Sequence, residues 1–339
     1  MHQPNALEGG RRTGRFVAGI QACGCRSMGV EMSRAWTLFR KYAFAVVPAV
    51  GLFELALHWK QTRSVPTDAE WEATRAEVQR IAQPTDLVIF APQWVEPRAR
   101  QSFGPVLASV ERIARPDETR FPRAIEVSIR GAHRTEIAKW KRVKRQQVGP
   151  FEVTISENPD ARVVIDDLVD HVRPGAMAVS VVDGGRESPC PWTHGAVLTG
   201  GLGYGPTVPA ERFACADGAV VAVTVISDPT YQPRRCIYAP PVGGNTVLRL
   251  RFASVAFGTT LHGHHAIAAE ADHANGAPVD LAFRAAGETL GDFVRRDGTG
   301  WTPFETMTSD LAGTKAELVV DIRSARGERR QYCFEADTR

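Results

Sequence analysis

Thr246-Val247-Leu248-Arg249-Leu250-Arg251-Phe252 alternates apolar and charged side chains from Leu248 to Phe252. Successive strand residues point to opposite faces, so Leu248, Leu250 and Phe252 face a core while Arg249 and Arg251 face outward. A helix would scatter the same residues around its axis. Working outward, further strands are expected at 265–271, 278–285, 290–296, 316–323 and 329–336. They are punctuated by turns at Asn275-Gly276, Ala286-Gly287, Asp297-Gly298 and Arg326-Gly327. About eight short strands in roughly a hundred residues predict an all-β sandwich of the jelly-roll kind over 236–339.

Upstream, 191–235 is dense in Gly and Pro and reads as a connector with one strand, Ala219 to Ile226. Gly201 to Gly205 is followed by Pro206 and Pro209, so no helix N-terminus is available there to bind a phosphate. Residues 66–190 alternate helix and strand. Thr67 and Glu70 form a capping box ahead of Trp71, Val78 and Ile81. Leu87 to Ala91 is a continuous apolar strand, as in a sheet covered on both faces. A helix is expected from Pro105, strands at Ala124–Ile129, Phe151–Ile155 and Ala176–Val182, a basic helix over Arg134–Arg145, and a segment capped by Asn158-Pro159 that runs to Val172. The pattern predicts a small α/β domain with a largely parallel sheet. The fold class is therefore α/β plus all-β.

In such sheets ligands bind beyond the carboxyl ends of the strands. The residues expected there are Trp94, Glu96, Arg130, His133, Glu157, Asn158, Asp183 and Arg186. Glu96, His133 and Asp183 form the alternative catalytic set, with Glu and His as an acid/base pair. Convergence of Glu96 and Asp183 to within ~5–10 Å would favour a glycosidase-like enzyme. The sequence has no nucleophile elbow, His-Glu-x-x-His motif or phosphate loop. No cofactor is expected. The basic run Lys139 to Arg145 reads as a solvated helix face, with acidic glycans or anionic headgroups as the alternative contact.

Toward the N-terminus, Tyr42 to Leu57 is apolar apart from Glu54, and contains Pro48. As a helix it reaches ~24 Å against a ~30 Å hydrocarbon core. Flanking residues 35–59, with Trp36 and Trp59 at interfacial positions, extend it into a single-pass transmembrane anchor. A cleaved signal peptide and a buried core helix are the competing readings. Residues 1–34 read as a disordered tail. Arg11, Arg12, Arg15, Arg26, Arg34, Arg40 and Lys41 face only Glu8 and Glu31, which places the tail in the cytoplasm and the bulk outside a bacterial inner membrane.

The net charge of +3 over 339 residues gives no footprint for nucleic acid. Of six cysteines, Cys23 and Cys25 precede the apolar run, and Cys190, Cys215, Cys236 and Cys333 follow it. An even number in an exported region implies two bridges, and Cys190–Cys215 with Cys236–Cys333 is the favoured pairing. With Tyr332 and Phe334 facing the core, Cys333 must lie on an outer face or edge. None of the cysteine spacings matches a zinc site.

Gly300-Trp301, then Ser309-Asp310-Leu311-Ala312-Gly313-Thr314-Lys315-Ala316-Glu317-Leu318, resembles the tryptophan, Asp-Leu, Ala-Gly-Lys, apolar-strand pattern of galactose-binding-like carbohydrate-module jelly rolls. From Arg234-Arg235-Cys236 to Tyr332-Cys333-Phe334, the tail is similar to uncharacterised anchored bacterial envelope proteins. The resemblance implies a sandwich and, with it, a glycan- or partner-binding role that is non-catalytic and accessory to envelope glycan metabolism. A carbohydrate-active enzyme and a purely structural docking protein are the alternatives. Trp301 is the candidate stacking platform, with Asp297 and Thr299 beside it. His262-Gly263-His264-His265, followed by Glu270, Asp272 and His273, is the other cluster. His262 and His264 share one strand face, as an alternative metal pair requires.

Overall fold

The protein is described from a computed structural model that covers residues 29–63, 65–200, 205–272 and 275–339. It divides into two compact units, residues 1–65 and 66–339.

Among the described residues, the first unit consists of the helix α1 (Gly29–Arg63), with Pro48 inside it. Phe44, Val46, Val47, Val50, Leu52, Phe53 and Leu55 are all exposed on it. Among the described residues no helix is long and apolar enough to cross a membrane, so the expected single-pass span is not supported. Pro48 and Glu54 dilute a run that is already short for the hydrocarbon core.

The second unit opens with α2 (Asp68–Ile81), and the capping box forms as expected. Glu70 accepts from the Thr67 backbone N–H at 2.7 Å, and Thr67 accepts from the Glu70 N–H at 3.4 Å. A four-stranded sheet follows, built from β1 (Leu87–Ala91), β2 (Arg123–Ile129), β3 (Lys141–Val148) and β4 (Phe151–Glu157), in the order β1-β2-β4-β3. Val88 and Phe90 of β1 pack under α2 and α3 (Glu96–Leu107), with Trp71 and Phe103. Leu87 and Ile89 face the opposite cluster with Ile137. Covered on both sides, β1 can be apolar throughout.

Three expectations fail in this sheet. Only β1 and β2 are parallel; β4 runs antiparallel to both β2 and β3. The expected basic helix over Arg134–Arg145 is instead a short turn followed by edge strand β3. Its lysines and arginines stay exposed, and Gly149, at φ +56°, turns the chain back into β4. The helix expected from Pro105 starts earlier, at Glu96-Pro97, and is kinked at Gly104; α4 (Val110–Ile113) follows it.

Two further sheets pack face to face. The chain order is β5 (Asp166–Asp167), β6 (Met177–Asp183), β7 (Arg186–Cys190), β8 (Trp192–His194), β9 (Glu211–Ala214), β10 (Val220–Ser227) and β11 (Pro233–Tyr238). It continues with β12 (Val247–Ala256), β13 (Thr260–Ile267), β14 (Val279–Ala285), β15 (Glu288–Arg295), β16 (Thr302–Met307), β17 (Lys315–Ser324) and β18 (Tyr332–Thr338). One sheet runs β16-β13-β18-β11-β10-β9-β8, with β5 on β18; the other runs β15-β14-β17-β12-β6-β7. Leu248, Leu250 and Phe252 of β12 meet Tyr332, Phe334 and Ala336 of β18 in the core between them, on the faces that the alternation specifies.

The sandwich takes in more chain than the sequence implies. The strand expected as the fourth of the α/β sheet, β6, pairs with β12. The stretch read as a connector supplies β8, β9 and β10. Both disulfides have the expected partners, Cys190–Cys215 and Cys236–Cys333. The second lies on the outer face of the first sheet, yet it is fully buried among Val208, Ala222, Ile226 and Ala266.

Candidate functional site

Because β1 and β2 are parallel, their carboxyl ends lie side by side. After β1, Pro92 and the turn Gln93–Val95 lead into α3 at Glu96. After β2, Arg130 and Gly131 take left-handed conformations, φ 56° and 69°, and swing His133 and Arg134 back over the strand end. The third wall is the loop from Asp228 to Arg234 of the sandwich. Asp228 shapes it by accepting from the Thr230 and Gln232 backbone N–H groups at 2.8 and 3.0 Å and from Arg234 Nε at 3.0 Å. The Gln93 amide donates to the Gln232 side-chain oxygen at 3.0 Å, which joins two of the walls.

The result is a polar cleft of about 590 Å³, with Glu96, Arg100, Arg115, His133, Arg134 and Glu136 among its lining residues. Two exposed aromatics adjoin it in sequence. Trp94, 65% exposed, sits between Gln93 and Glu96, with the Arg130 guanidinium 6.0 Å from its ring centre. Tyr231, 80% exposed, precedes Gln232.

The cleft's carboxyls are driven in opposite directions. Burial raises the Glu96 pKa, against the pull of Arg134 at 3.8 Å. Burial acts the same way on Glu136, but hydrogen bonds from Arg134 outweigh it and hold its carboxyl at about 2. His133 Nδ1 lies 2.8 Å from the buried Glu126 carboxylate, which also accepts from the Arg134 N–H at 2.6 Å. That carboxylate fixes the ring and leaves Nε2 toward the cleft.

Glu96 and His133 are therefore brought together, with Trp94 and Arg130 near them in sequence, whereas Asp183, Arg186, Glu157 and Asn158 lie elsewhere. Asp183 is exposed at the β6–β7 hairpin, beside a separate depression lined by Val182, Gly184, Asp280 and Arg323. The convergence of Glu96 with Asp183 that would have favoured a glycosidase-like pair does not occur, because β6 belongs to the sandwich. Glu157 and Asn158 sit at the opposite end of the small sheet, since antiparallel pairing sets Glu157 against Arg123 at the start of β2. Tyr231 and Gln232 escaped the sequence reading, which placed them in a connector; the Asp228-Pro229 turn pair was the available signal.

Trp301 is half buried. Its indole N–H donates to the Pro116 carbonyl at 2.9 Å, its ring stacks on His264 at 5.5 Å and 5°, and the Arg234 guanidinium lies 5.7 Å from it. The ring and its N–H are thus engaged within the fold, whereas Trp94 offers a largely open one. Asp297 accepts from the Gly276 N–H at 3.0 Å and pairs with Arg330, while Thr299 donates to the Arg296 carbonyl at 2.9 Å. Asp297 thus ties its turn to two other segments, and Thr299 serves its own turn.

His262 and His264 point from one face of β13 toward Asp117, from the segment ahead of β2. Asp272 is buried against Arg295 at 2.8 Å, Glu270 is exposed, and His273 lies outside the described residues, as do Cys23, Cys25 and residues 201–204.

No protein-family model matches the chain, and no curated protein matches it. Solved structures similar to it include carbohydrate-binding modules. The CBM51-2 and INT domains of Clostridium perfringens ZmpB, in complex with GlcNAc, align at 11% identity and a TM-score of 0.27, over 48% of this chain and 37% of that one. The chain thus spans about a third of that structure's length. The xylan-binding module CBM15 aligns at 11% identity and a TM-score of 0.24, over 52% and 97%. The C-terminal CBM6 of LamC from Zobellia galactanivorans aligns at 13% identity and a TM-score of 0.19, over 38% and 86%. At such scores the functional reading rests on this chain's own residues.

Proposed function

We propose that the protein is a membrane-anchored, extracytoplasmic glycan-binding protein, non-catalytic and accessory to envelope glycan metabolism. Its sandwich is read as a jelly roll, and its binding site as the cleft between the parallel strand ends and the Asp228–Arg234 loop. One observation carries this reading: a cleft is lined by fixed amide, carboxylate, imidazole and guanidinium groups, and two exposed aromatics, Trp94 and Tyr231, are the sequence neighbours of its lining residues Gln93 and Gln232. Sugars present apolar C–H faces and a rim of hydroxyls. An exposed aromatic stacks on the first, and such polar groups hold the second. The two disulfides support an oxidising compartment. The exposed apolar residues of α1 support attachment to a bilayer. A glycan array probed with the wild type and with Trp94→Ala tests the reading; it requires selective binding that the substitution removes.

A second reading has its own observation. Glu96 is driven toward its protonated form and Glu136 is held ionised in the same cleft, while His133 is set by a buried carboxylate. Groups whose acidities are pushed apart in this way suit an acid and a base. In the enzyme reading Glu96 donates a proton to a leaving oxygen. Hydrolysis of a bound oligosaccharide by the wild type, abolished in Glu96→Gln, would favour this reading over the first.

A further inference from the structure

We propose that Asp117, His262 and His264 form a binding site for a divalent transition-metal ion of the zinc class. One ligand atom from each of the three lies within 4.8 Å of the others. In a tetrahedral zinc site, ligand atoms stand about 3.3 Å apart, and side-chain rotation closes that gap. Two imidazoles and one carboxylate are the donor set this class of ion favours, with a fourth position open to water or substrate.

Two independent details support the site. His264 Nδ1 is held by the buried Glu335 carboxyl at 2.8 Å, which leaves Nε2 as the free donor. A ligating histidine is commonly oriented by a carboxyl on its other nitrogen in this way. His262 has an unmet demand. Its Nδ1 is buried without a hydrogen-bond partner among the described residues, and its Nε2 stands 3.7 Å from Asp117 Oδ2, beyond hydrogen-bond reach. The opposing charge is Arg339, 3.5 Å from Asp117, and its guanidinium is already engaged by Asp337 at 2.6 and 3.0 Å.

The test is equilibrium dialysis of the full, oxidised, chelator-treated chain against ZnCl2, with metal analysis of the wild type, His262→Ala and Asp117→Asn. Cys23 and Cys25 contribute equally to every variant, so the difference isolates this site. The wild type is expected to hold one more zinc per chain than either variant, and zinc is expected to raise its Tm alone. Equal zinc content in all three, or none in any, would overturn the proposal. Co²⁺ titration of the wild type gives a readout that needs no folded variant. Intense visible absorption without a near-ultraviolet thiolate-to-cobalt band supports the proposal, and the pale spectrum of the hydrated ion, or absorption only with that band, overturns it.

Discussion

Trp301 donates its indole N–H to the main-chain carbonyl of Pro116 at 2.9 Å, across the seam between the sandwich and the segment that leads into β2. The same seam is held by the Arg235 N–H on the Ala114 carbonyl at 2.7 Å and by Arg339 on Thr119 at 2.5 Å. Trp301→Ala should therefore cost stability, about 2–4 kcal/mol from lost packing and the orphaned carbonyl. Trp301→Phe keeps a stacking ring and should cost only about 1 kcal/mol. Urea unfolding of the two variants checks this. Glycan affinity should be unchanged in Trp301→Phe.

The disulfides differ in the loops they close. Cys236–Cys333 spans 97 residues of sequence and Cys190–Cys215 spans 25. Chain entropy alone predicts losses of about 5 and about 3.5 kcal/mol on removal. Paired Cys→Ser substitutions, followed by thermal unfolding under oxidising conditions, should rank the first as the more damaging.

Acid should weaken the fold partly through His265. It is buried on Tyr332, its Nδ1 2.9 Å from the phenol oxygen, and burial pushes its pKa from 6.5 down to about 3. The unfolded chain takes up that proton first. The stabilising contribution is thus complete above pH 6.5 and is lost as pH falls from 6.5 through about 3. His265→Gln should flatten the slope of unfolding free energy against pH by up to about 1.4 kcal/mol per unit within that window. An unchanged slope between pH 6 and 4 would refute the assignment.

In the anchored reading, the exposed apolar residues of α1 should govern membrane attachment. Full-length protein should float with lipid vesicles, and Phe44→Glu with Val47→Glu should release it to the soluble fraction. Flotation that persists in the double variant would place the attachment elsewhere.

Much of this architecture was legible locally. The alternation of Leu248, Leu250 and Phe252, the capping box at Thr67 and Glu70, and the uninterrupted strand Leu87–Ala91 all appear as their periodicities imply. The basic run misled because lysine and arginine suit both an exposed helix face and an exposed edge strand; the Gly149-Pro150 turn decides for the strand. Nothing local shows that β6 pairs with β12, since a half-buried strand carries no label for its sheet. The cleft was half legible for the same reason: Glu96 and His133 follow from parallel strand ends, whereas Gln232 and Arg234 enter only through tertiary packing. Asp117 joins His262 and His264 across a sequence distance that no spacing rule reaches.

The most direct test is binding of an oxidised, folded sample to a glycan array, with Trp94→Ala and Trp301→Phe in parallel. Selective binding that weakens at least tenfold in Trp94→Ala, about 1.4 kcal/mol, and persists in Trp301→Phe is the predicted result. Selective binding that survives Trp94→Ala, or a folded protein that binds no glycan, would contradict the assignment of the cleft.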